Sequence, residues 1–306
     1  MGNIFSSAAK QIFRNGNKHP FTSAVVLCAG TGERFSSGEI TKQNFLIDNI
    51  PVCVHTIRAF ENTDLIDEIV VVGRRDELDL LGEYCITYKL GKVTQIVEGG
   101  KTRQESSLAG FDMVSDDSRY VCIHDGARCL VTPELIEKTV RRAYESGAAA
   151  AAERSRDTVK YSENGEVIDE TLDRDRIWLV KTPQVFMCNM YRAGAYMAKK
   201  DGVAVTDDCM LAERLGFKVS LVECGSDNIK ITYPGDEITA EADIRAMTMA
   251  ANCGVGLLAT IHAQDRAELE GKPLARMLLA SGAFAQAIVI ENRGGERTYR
   301  WEVLAP

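Results

Sequence analysis

Short, nearly continuous apolar runs alternate with segments of helical pattern in the first half of the chain, and this alternation constrains the fold more than any other feature. "SAVVLCAG", "DEIVVVGRR" and "RYVCIHDGAR" are such runs, with "CVHTIRAF", "TRQESSLAGFDMV" and "TPELIEKTVRRAYESG" placed around them. Strands that are apolar at nearly every position, rather than at every second one, must be covered on both faces. That predicts a mostly parallel sheet with helices on either side. Thr132-Pro133-Glu134 supplies a cap and a first-turn proline for one of these helices, and Gly147 ends it. In open sheets of this kind ligands sit beyond the carboxyl ends of the strands, where both Gly30 and Asp125 fall.

The pattern then changes. "DTVKYSENGEVIDETLDRDRIWLVKTPQVF" reads as two extended segments about an Asn164-Gly165 turn, a projecting β-arm over about residues 155–182 of the kind used for dimerisation. A closing strand and a last helix complete the main domain, residues 21–250. Residues 251–306 read as a small α/β fragment of strands, helices and a final hairpin. Residues 1–20 read as an amphipathic extension carrying Ile4, Phe5, Ile12 and Phe13. Their start, "MGNIFSS", fits the N-myristoylation pattern, which is too short to displace that reading.

At 306 residues and 45% hydrophobic content, the chain can bury a soluble main domain of roughly 200 to 250 residues plus an appendage. The formal net charge of −8 argues against a general nucleic-acid or membrane-surface binder, so any bound anion must meet a local basic pocket. Nine cysteines without C-x-x-C spacing fit neither a zinc site nor a disulfide framework, and point to reduced thiols in a cytoplasm. No run approaches the ~18 apolar residues of a membrane span.

The stretch "AVVLCAGTGERF" runs a buried strand into Gly30-x-Gly32-x-Arg34. A dinucleotide fingerprint would need a third glycine where Phe35 sits, and an acid after the next strand, which instead ends in "VVVGRR". "GGKTRQ" offers Gly100-Lys101-Thr102, but a P-loop would need glycine where Gln95 stands. What remains is a glycine loop followed by Lys42-Gln43, in which backbone amides approach a triphosphate and two cations neutralise it.

"CAGTGERF…TKQ", "EGGKTRQESSLAG", "HDGARCL", "RDTVK", "LDRDRIWLVKTPQVF", "TDD" and "DNIKIT" occur in the order and spacing of the bacterial 2-C-methyl-D-erythritol 4-phosphate cytidylyltransferase family, which residues 21–250 resemble. The resemblance implies a Rossmann-like α/β fold, a homodimer joined through the arm, and transfer of CMP from CTP to the sugar phosphate with Mg2+. It makes Arg34 and Lys42 the pair that stabilises the charged transition state, and Arg174 and Lys230 the residues that position the sugar phosphate. Cys28, Ala29, Gly30 and Gly32 become the CTP loop, Gly100 and Ser106 the segment reading the cytosine edge, and Asp125 with Gly126 the turn near ribose and magnesium. Arg128, Thr158 and Thr182 match positions near the sugar phosphate, some reached across the dimer. Taken singly, Lys42 or Lys230 reads as a solvated charge, Asp125 as a strand-end turn residue, His124 as support for that strand end and Cys28 as a small loop residue. A phosphate oxygen attacking the α-phosphorus needs alignment and fixed cations rather than a protein nucleophile.

The chain departs from the family pattern where Thr41 precedes Lys42 and where Cys129 follows Ala127-Arg128, both usually proline, and at Cys28 and Gly126, usually alanine. These changes alter loop stiffness but keep the charged groups. The tail, with "ATIHA" and "LLASGAFAQAIVIENR", resembles the end of the stage III sporulation RecA-like ATPase without its Walker lysine. It reads as a fused remnant or a join made during sequence assembly. Two alternatives stand beside the main reading: a ribitol 5-phosphate cytidylyltransferase, and a catalytically silent nucleotide-binding scaffold.

Overall fold

The structure, a computed structural model, describes residues 19–30, 41–47, 49–232, 286–293 and 296–303. Most of the N-terminal extension, Gly32, Arg34, the expected closing helix and much of the expected tail fragment lie outside the described residues. The chain divides into two compact units, Met1–Thr232 and Tyr233–Pro306.

In chain order the first unit contains β1 (Thr22–Leu27), the short pair β2 (Leu46–Ile47) and β3 (Ile50–Pro51), α1 (Val52–Glu61), β4 (Glu68–Gly73), α2 (Leu78–Thr87) and β5 (Val93–Glu98). There follow α3 (Arg103–Phe111), β6 (Tyr120–Asp125), α4 (Pro133–Ser146), β7 (Ala148–Arg154), β8 (Lys160–Tyr161) and β9 (Glu170–Thr171). β10 (Trp178–Met187), α5 (Cys188–Lys200), α6 (Cys209–Arg214) and β11 (Ser220–Glu223) complete it. The seven-stranded sheet has the order β11-β7-β10-β6-β1-β4-β5. It is parallel except at β10, which runs against both of its neighbours.

The apolar runs are continuous because each strand feeds two cores. Ala24 and Val26 of β1 join Val54, Ile57 and Phe60 of α1 and Ile136 and Val140 of α4, whereas Val25 joins Phe111 of α3 and Tyr191 of α5. β4 divides in the same way, Ile69 and Val71 to one side and Val70 and Val72 to the other. Burying each such side chain is worth roughly 1.5–3 kcal/mol. α4 starts where the sequence predicts. The Thr132 side chain accepts from the Leu135 amide at 3.3 Å, Pro133 is the first helical residue, and Gly147 takes the left-handed conformation at φ 86°.

The arm is shorter than expected. Trp178, Leu179 and Val180 pair with Arg154, Glu153 and Ala152, so they belong to the sheet, and the excursion lies between Arg154 and Trp178. Only Lys160–Thr171 and Tyr161–Glu170 pair within it. Asn164-Gly165 is not a tight hairpin turn: the Asn164 side-chain oxygen accepts from the amides of Glu166 and Val167 at 2.9 and 3.2 Å, closing the loop without strand pairing. Pro183, which has no amide proton for a ladder, falls where the β10–β7 register shifts between Val180 and Gln184.

Register then positions the site. Leu27 lies beside both Val72 and Asp125, so the chain leaves β1 and β6 side by side at the carboxyl end of the sheet. The Cys28 amide donates to Val72 O at 2.7 Å and the Gly126 amide to Leu27 O at 2.8 Å. In the second unit, β12 (Gln286–Arg293) and β13 (Glu296–Val303) form an antiparallel hairpin in which Ile288 opposes Trp301 and Ile290 opposes Tyr299.

Candidate active site

Asp125 ends β6 and is almost buried, and three cations converge on it. Lys230 Nζ lies 2.9 Å and Arg128 Nε 3.5 Å from Oδ2, and Arg103 Nε donates to Oδ1 at 3.2 Å. Burial would raise the carboxyl, but Lys230, Arg103 and Arg128 hold it well below the usual carboxylate range. The Asp125 amide donates to Thr182 Oγ1 at 3.1 Å. Arg128 Nη1 donates to Asn228 O at 2.8 Å, Asn228 Nδ2 to Thr182 O at 2.8 Å, and the Ile231 amide to Ala127 O at 2.9 Å. These bonds lace the end of β6, the irregular part of β10 and the segment before Lys230 into one wall.

Behind that wall lies a second layer. Arg103 Nη1 donates to Asp208 Oδ2 at 2.6 Å, and Ser107 Oγ and Tyr191 Oη donate to Oδ1 at 2.9 and 3.0 Å. The Asp208 amide donates to Gln184 Oε1 at 3.1 Å. Three cations against the two carboxylates of Asp125 and Asp208 leave this cluster positive within a chain of formal charge −8.

The glycine loop borders the same end of the sheet. Gln43 Nε2 donates to Gly30 O at 3.0 Å. A Cβ on Gly30 would stand 3.7 Å from Lys42 Cε and 3.8 Å from Lys42 Nζ, ordinary contact distances, so the end of the Lys42 side chain lies beside Gly30. A Cβ on Gly99 would stand 2.5 Å from the Ala29 Cβ, which places the "EGGK" segment against the loop. The Gly100 amide donates to Ser106 Oγ at 3.1 Å, and Ser106 Oγ donates to Thr102 O at 2.9 Å. Thr102 caps α3 through a reciprocal box with Glu105.

Asp125, Arg128, Thr182 and Lys230 thus come together, as do Gly30 with Lys42, Gly100 with Ser106, and Cys28 with Gly126. Thr158 and Arg174 lie exposed on the arm, where Arg174 Nη1 donates to Arg156 O at 3.3 Å. Sequence reasoning missed Arg103, Asp208 and Asn228, although each lies inside a motif that it used. Neither His124 nor Cys28 is set up for chemistry. His124 is fully buried with its ring centroid 5.1 Å from that of Phe60, and burial drives its imidazole down to about 3. The neighbouring Cys53 thiol and burial push the Cys28 thiol well above its ordinary range.

Residues 22–246 match the family described as 2-C-methyl-D-erythritol 4-phosphate cytidylyltransferase. The chain belongs to this family. A cytidylyltransferase of that name from Alkaliphilus oremlandii is 40% identical over 222 residues, 72% of this chain and 93% of the relative. One from Syntrophus aciditrophicus is 40% identical over 227 residues, 74% and 97% of the two chains. Among solved structures, the 4-diphosphocytidyl-2C-methyl-D-erythritol synthase from Anaerococcus prevotii superposes with a TM-score of 0.66 at 30% identity, covering 74% of this chain and 98% of that one. The cytidylyltransferase from Thermus thermophilus gives 0.59 at 27% identity, over 74% and 99%. The mostly parallel sheet is therefore a cytidylyltransferase sheet, and the protein is a nucleotidyltransferase.

Residues 204–300 also match the family of sporulation stage III protein AA. This similarity begins well before residue 251 and overlaps the cytidylyltransferase match. Packing assigns the described part of the overlap to the first unit: Leu211 and Ala212 of α6 share an apolar layer with Tyr191, and β11 pairs in parallel with β7.

Proposed function

We propose that the enzyme transfers CMP from CTP to 2-C-methyl-D-erythritol 4-phosphate, and that the wall around Asp125 is where the two anions meet. The observation that carries this reading is the convergence of Lys230, Arg128 and Arg103 on one carboxylate beside the Gly30 loop. Of the buried polar atoms in the wall, Asn228 Oδ1 makes no hydrogen bond among the described residues, as suits a group that meets a ligand, while Arg128 Nε has only its 3.5 Å ion pair with Asp125. A phosphate oxygen of the sugar phosphate attacks the α-phosphorus of CTP. The bond from that phosphorus to the bridging oxygen breaks, and pyrophosphate leaves with the electron pair. Lys42, beside Gly30, neutralises the transferring phosphoryl group, while Lys230 and Arg128 orient the attacking phosphate. Arg34 shares the first task and Arg174 the second. Ser106 and Gly100 hold the segment proposed to read cytosine.

The donor set fits magnesium only as an ion shared with the nucleotide. Among the described residues no three metal-ligating side chains cluster, whereas magnesium is commonly bound by one or two carboxylates together with substrate phosphates. Asp125 would hold it, and the ion would supply charge neutralisation on the triphosphate. Asp125 is already tied to three cations, so its carboxylate is oriented before any ligand arrives.

The exposed arm, with Val167 and Ile168 more than half accessible, supports a homodimer in which Arg174 and Thr158 serve the partner's site. The eight described cysteines are free, in keeping with a cytoplasmic protein, and no helix among the described residues is long and apolar enough to cross a membrane. Pyrophosphate release with CTP and either 2-C-methyl-D-erythritol 4-phosphate or ribitol 5-phosphate tests the reading. Preference for ribitol 5-phosphate would reassign the acceptor, and release with neither would leave a silent scaffold.

A further inference from the structure

The segment that carries Lys42 is anchored unevenly. On its C-terminal side the main chain is tied to α1: Cys53 N donates to Gln43 O at 3.0 Å and Val52 N to Phe45 O at 2.9 Å. On its N-terminal side the tie made among the described residues is by side chains. Thr41 Oγ1 donates to Glu77 Oε1 at 2.6 Å, Asn44 Nδ2 donates to the same oxygen at 2.9 Å, and Asn44 Nδ2 also reaches Thr41 Oγ1 at 3.0 Å. Glu77 is 7% exposed, in the short 3-10 turn Arg75–Glu77 that leads into α2. The amides of Asn44 and Phe45 both donate to Thr41 O, at 3.0 and 3.1 Å, which closes a tight turn around Lys42 and Gln43.

We infer that Thr41, held by Glu77 and Asn44, is a positioning residue for Lys42. A lysine carries a compact charge on a flexible four-carbon stem, so the backbone that launches it sets where its ammonium is found. Thr41 is the residue immediately before Lys42, and its hydroxyl fastens that point of the chain to a buried carboxylate on a separate element. A buried carboxylate is costly unless its oxygens accept hydrogen bonds, so Glu77 favours the conformation in which Thr41 and Asn44 face it. The bonded triangle therefore fixes the launch point of Lys42 before substrate binds. Fixed placement of a cation at a transferring phosphoryl group acts on turnover more than on affinity.

This inference rests on the reading of Lys42 given above, and the experiment separates the two. Thr41→Val keeps the shape and removes the hydroxyl, whereas Thr41→Ser keeps it. kcat and KM for both substrates are measured by pyrophosphate release for each variant, alone and combined with Lys42→Ala, together with the melting temperature. Thr41→Val should lower kcat about ten-fold with both KM values within about two-fold, Thr41→Ser should stay near the parent, and Thr41→Val should cost nothing further in the Lys42→Ala background. An undiminished kcat in Thr41→Val, or an equal loss in both backgrounds, overturns the positioning role. A Lys42→Ala protein with normal turnover instead overturns the role of Lys42 itself. If Thr41→Val does not fold, Asn44→Ala replaces it. That variant should lower kcat a few-fold only where Lys42 is present, and a loss independent of Lys42 overturns the inference.

Discussion

Arg103 donates from Nη1 to Asp208 Oδ2 at 2.6 Å while its Nε holds Asp125 at 3.2 Å, so one guanidinium joins the mouth of the site to a carboxylate only 1% exposed. Burial alone would lower the guanidinium's affinity for its proton, yet Asp208 and Asp125 together raise it. Removing one partner of a buried pair leaves the other charge uncompensated. The Arg103 side chain is 29% exposed, so water recovers part of that cost. We expect Asp208→Ala to lower unfolding stability by about 2–3 kcal/mol in urea and to reduce kcat/KM, because Arg103, one of the three cations that hold Asp125, loses its own anchor. An unchanged urea midpoint would show that the pair contributes nothing to the fold.

Cys28 and Gly126 share one small volume. A Cβ on residue 126 would stand 2.5 Å from Cys28 Sγ and 2.8 Å from Leu27 O. Overfilling a packed site costs about 1–3 kcal/mol, and Gly126→Ala should fall in that range. Cys28→Ala in the same protein should recover part of the loss, the remainder belonging to the Leu27 carbonyl. A double variant whose melting temperature equals the sum of the two single shifts would mean that the residues do not compete for space.

The parts of this protein that could be read from its sequence are those governed by near neighbours. Continuous apolar runs such as Ala24–Leu27 announced a sheet buried on both faces, and Thr132, Pro133 and Gly147 announced the ends of α4. β10 was harder, because its first half reads as the second extended segment of the arm, whereas Trp178–Val180 pair with β7 and the same strand runs on to the core residues Val185 and Phe186. Asn164-Gly165 resembled a hairpin turn because dipeptide preference does not reveal that the Asn164 side chain will close the loop itself. Thr102 and Glu105 form a capping box that an eye searching "GGKTRQE" for a phosphate loop passes over. The second layer of the site was not legible, since Arg103 and Asp208 are 105 residues apart and only the fold brings them together. Thr41 was visible as a departure affecting loop stiffness, but Glu77, 36 residues on, was not visible as its partner.

His124 should make the fold acid-sensitive. Its ring is fully buried and its folded-state pKa is lowered to about 3, with burial as the main cause, while Asp125 opposes and Arg128 and Arg103 reinforce the shift. In the unfolded chain an imidazole titrates near 6.5. The contribution of neutral His124 is therefore fully present above about pH 6.5 and is lost as pH falls toward the folded value. The unfolded state binds the extra proton across that window, so stability should fall by roughly 1.4 kcal/mol per pH unit from this group. Urea midpoints of the protein without added magnesium, taken from pH 7.5 to 4.5, should slope less steeply in His124→Phe than in the parent. Equal slopes would show that His124 is not held neutral.

Arg174 lies exposed on the arm, bonded to Arg156 O, while Lys42 lies beside Gly30, past the end of β1. If the arm serves a partner subunit, each complete site combines Lys42 of one chain with Arg174 of the other. Arg174→Ala and Lys42→Ala proteins should each be nearly inactive alone. In a hybrid dimer of the two, the site on the Arg174→Ala subunit keeps its own Lys42 and receives an intact Arg174 from the Lys42→Ala subunit, whereas the other site lacks both. Random exchange at equal concentrations makes half of the dimers hybrids, each with one good site of two, so activity should recover to about a quarter of the parent value. The measurement is pyrophosphate release before and after subunit exchange, with exchange itself followed by differently tagged chains. Demonstrated exchange without recovery would place Arg174 in the site of its own subunit or outside the reaction, and the exposed arm would then need another reason to project from the sheet.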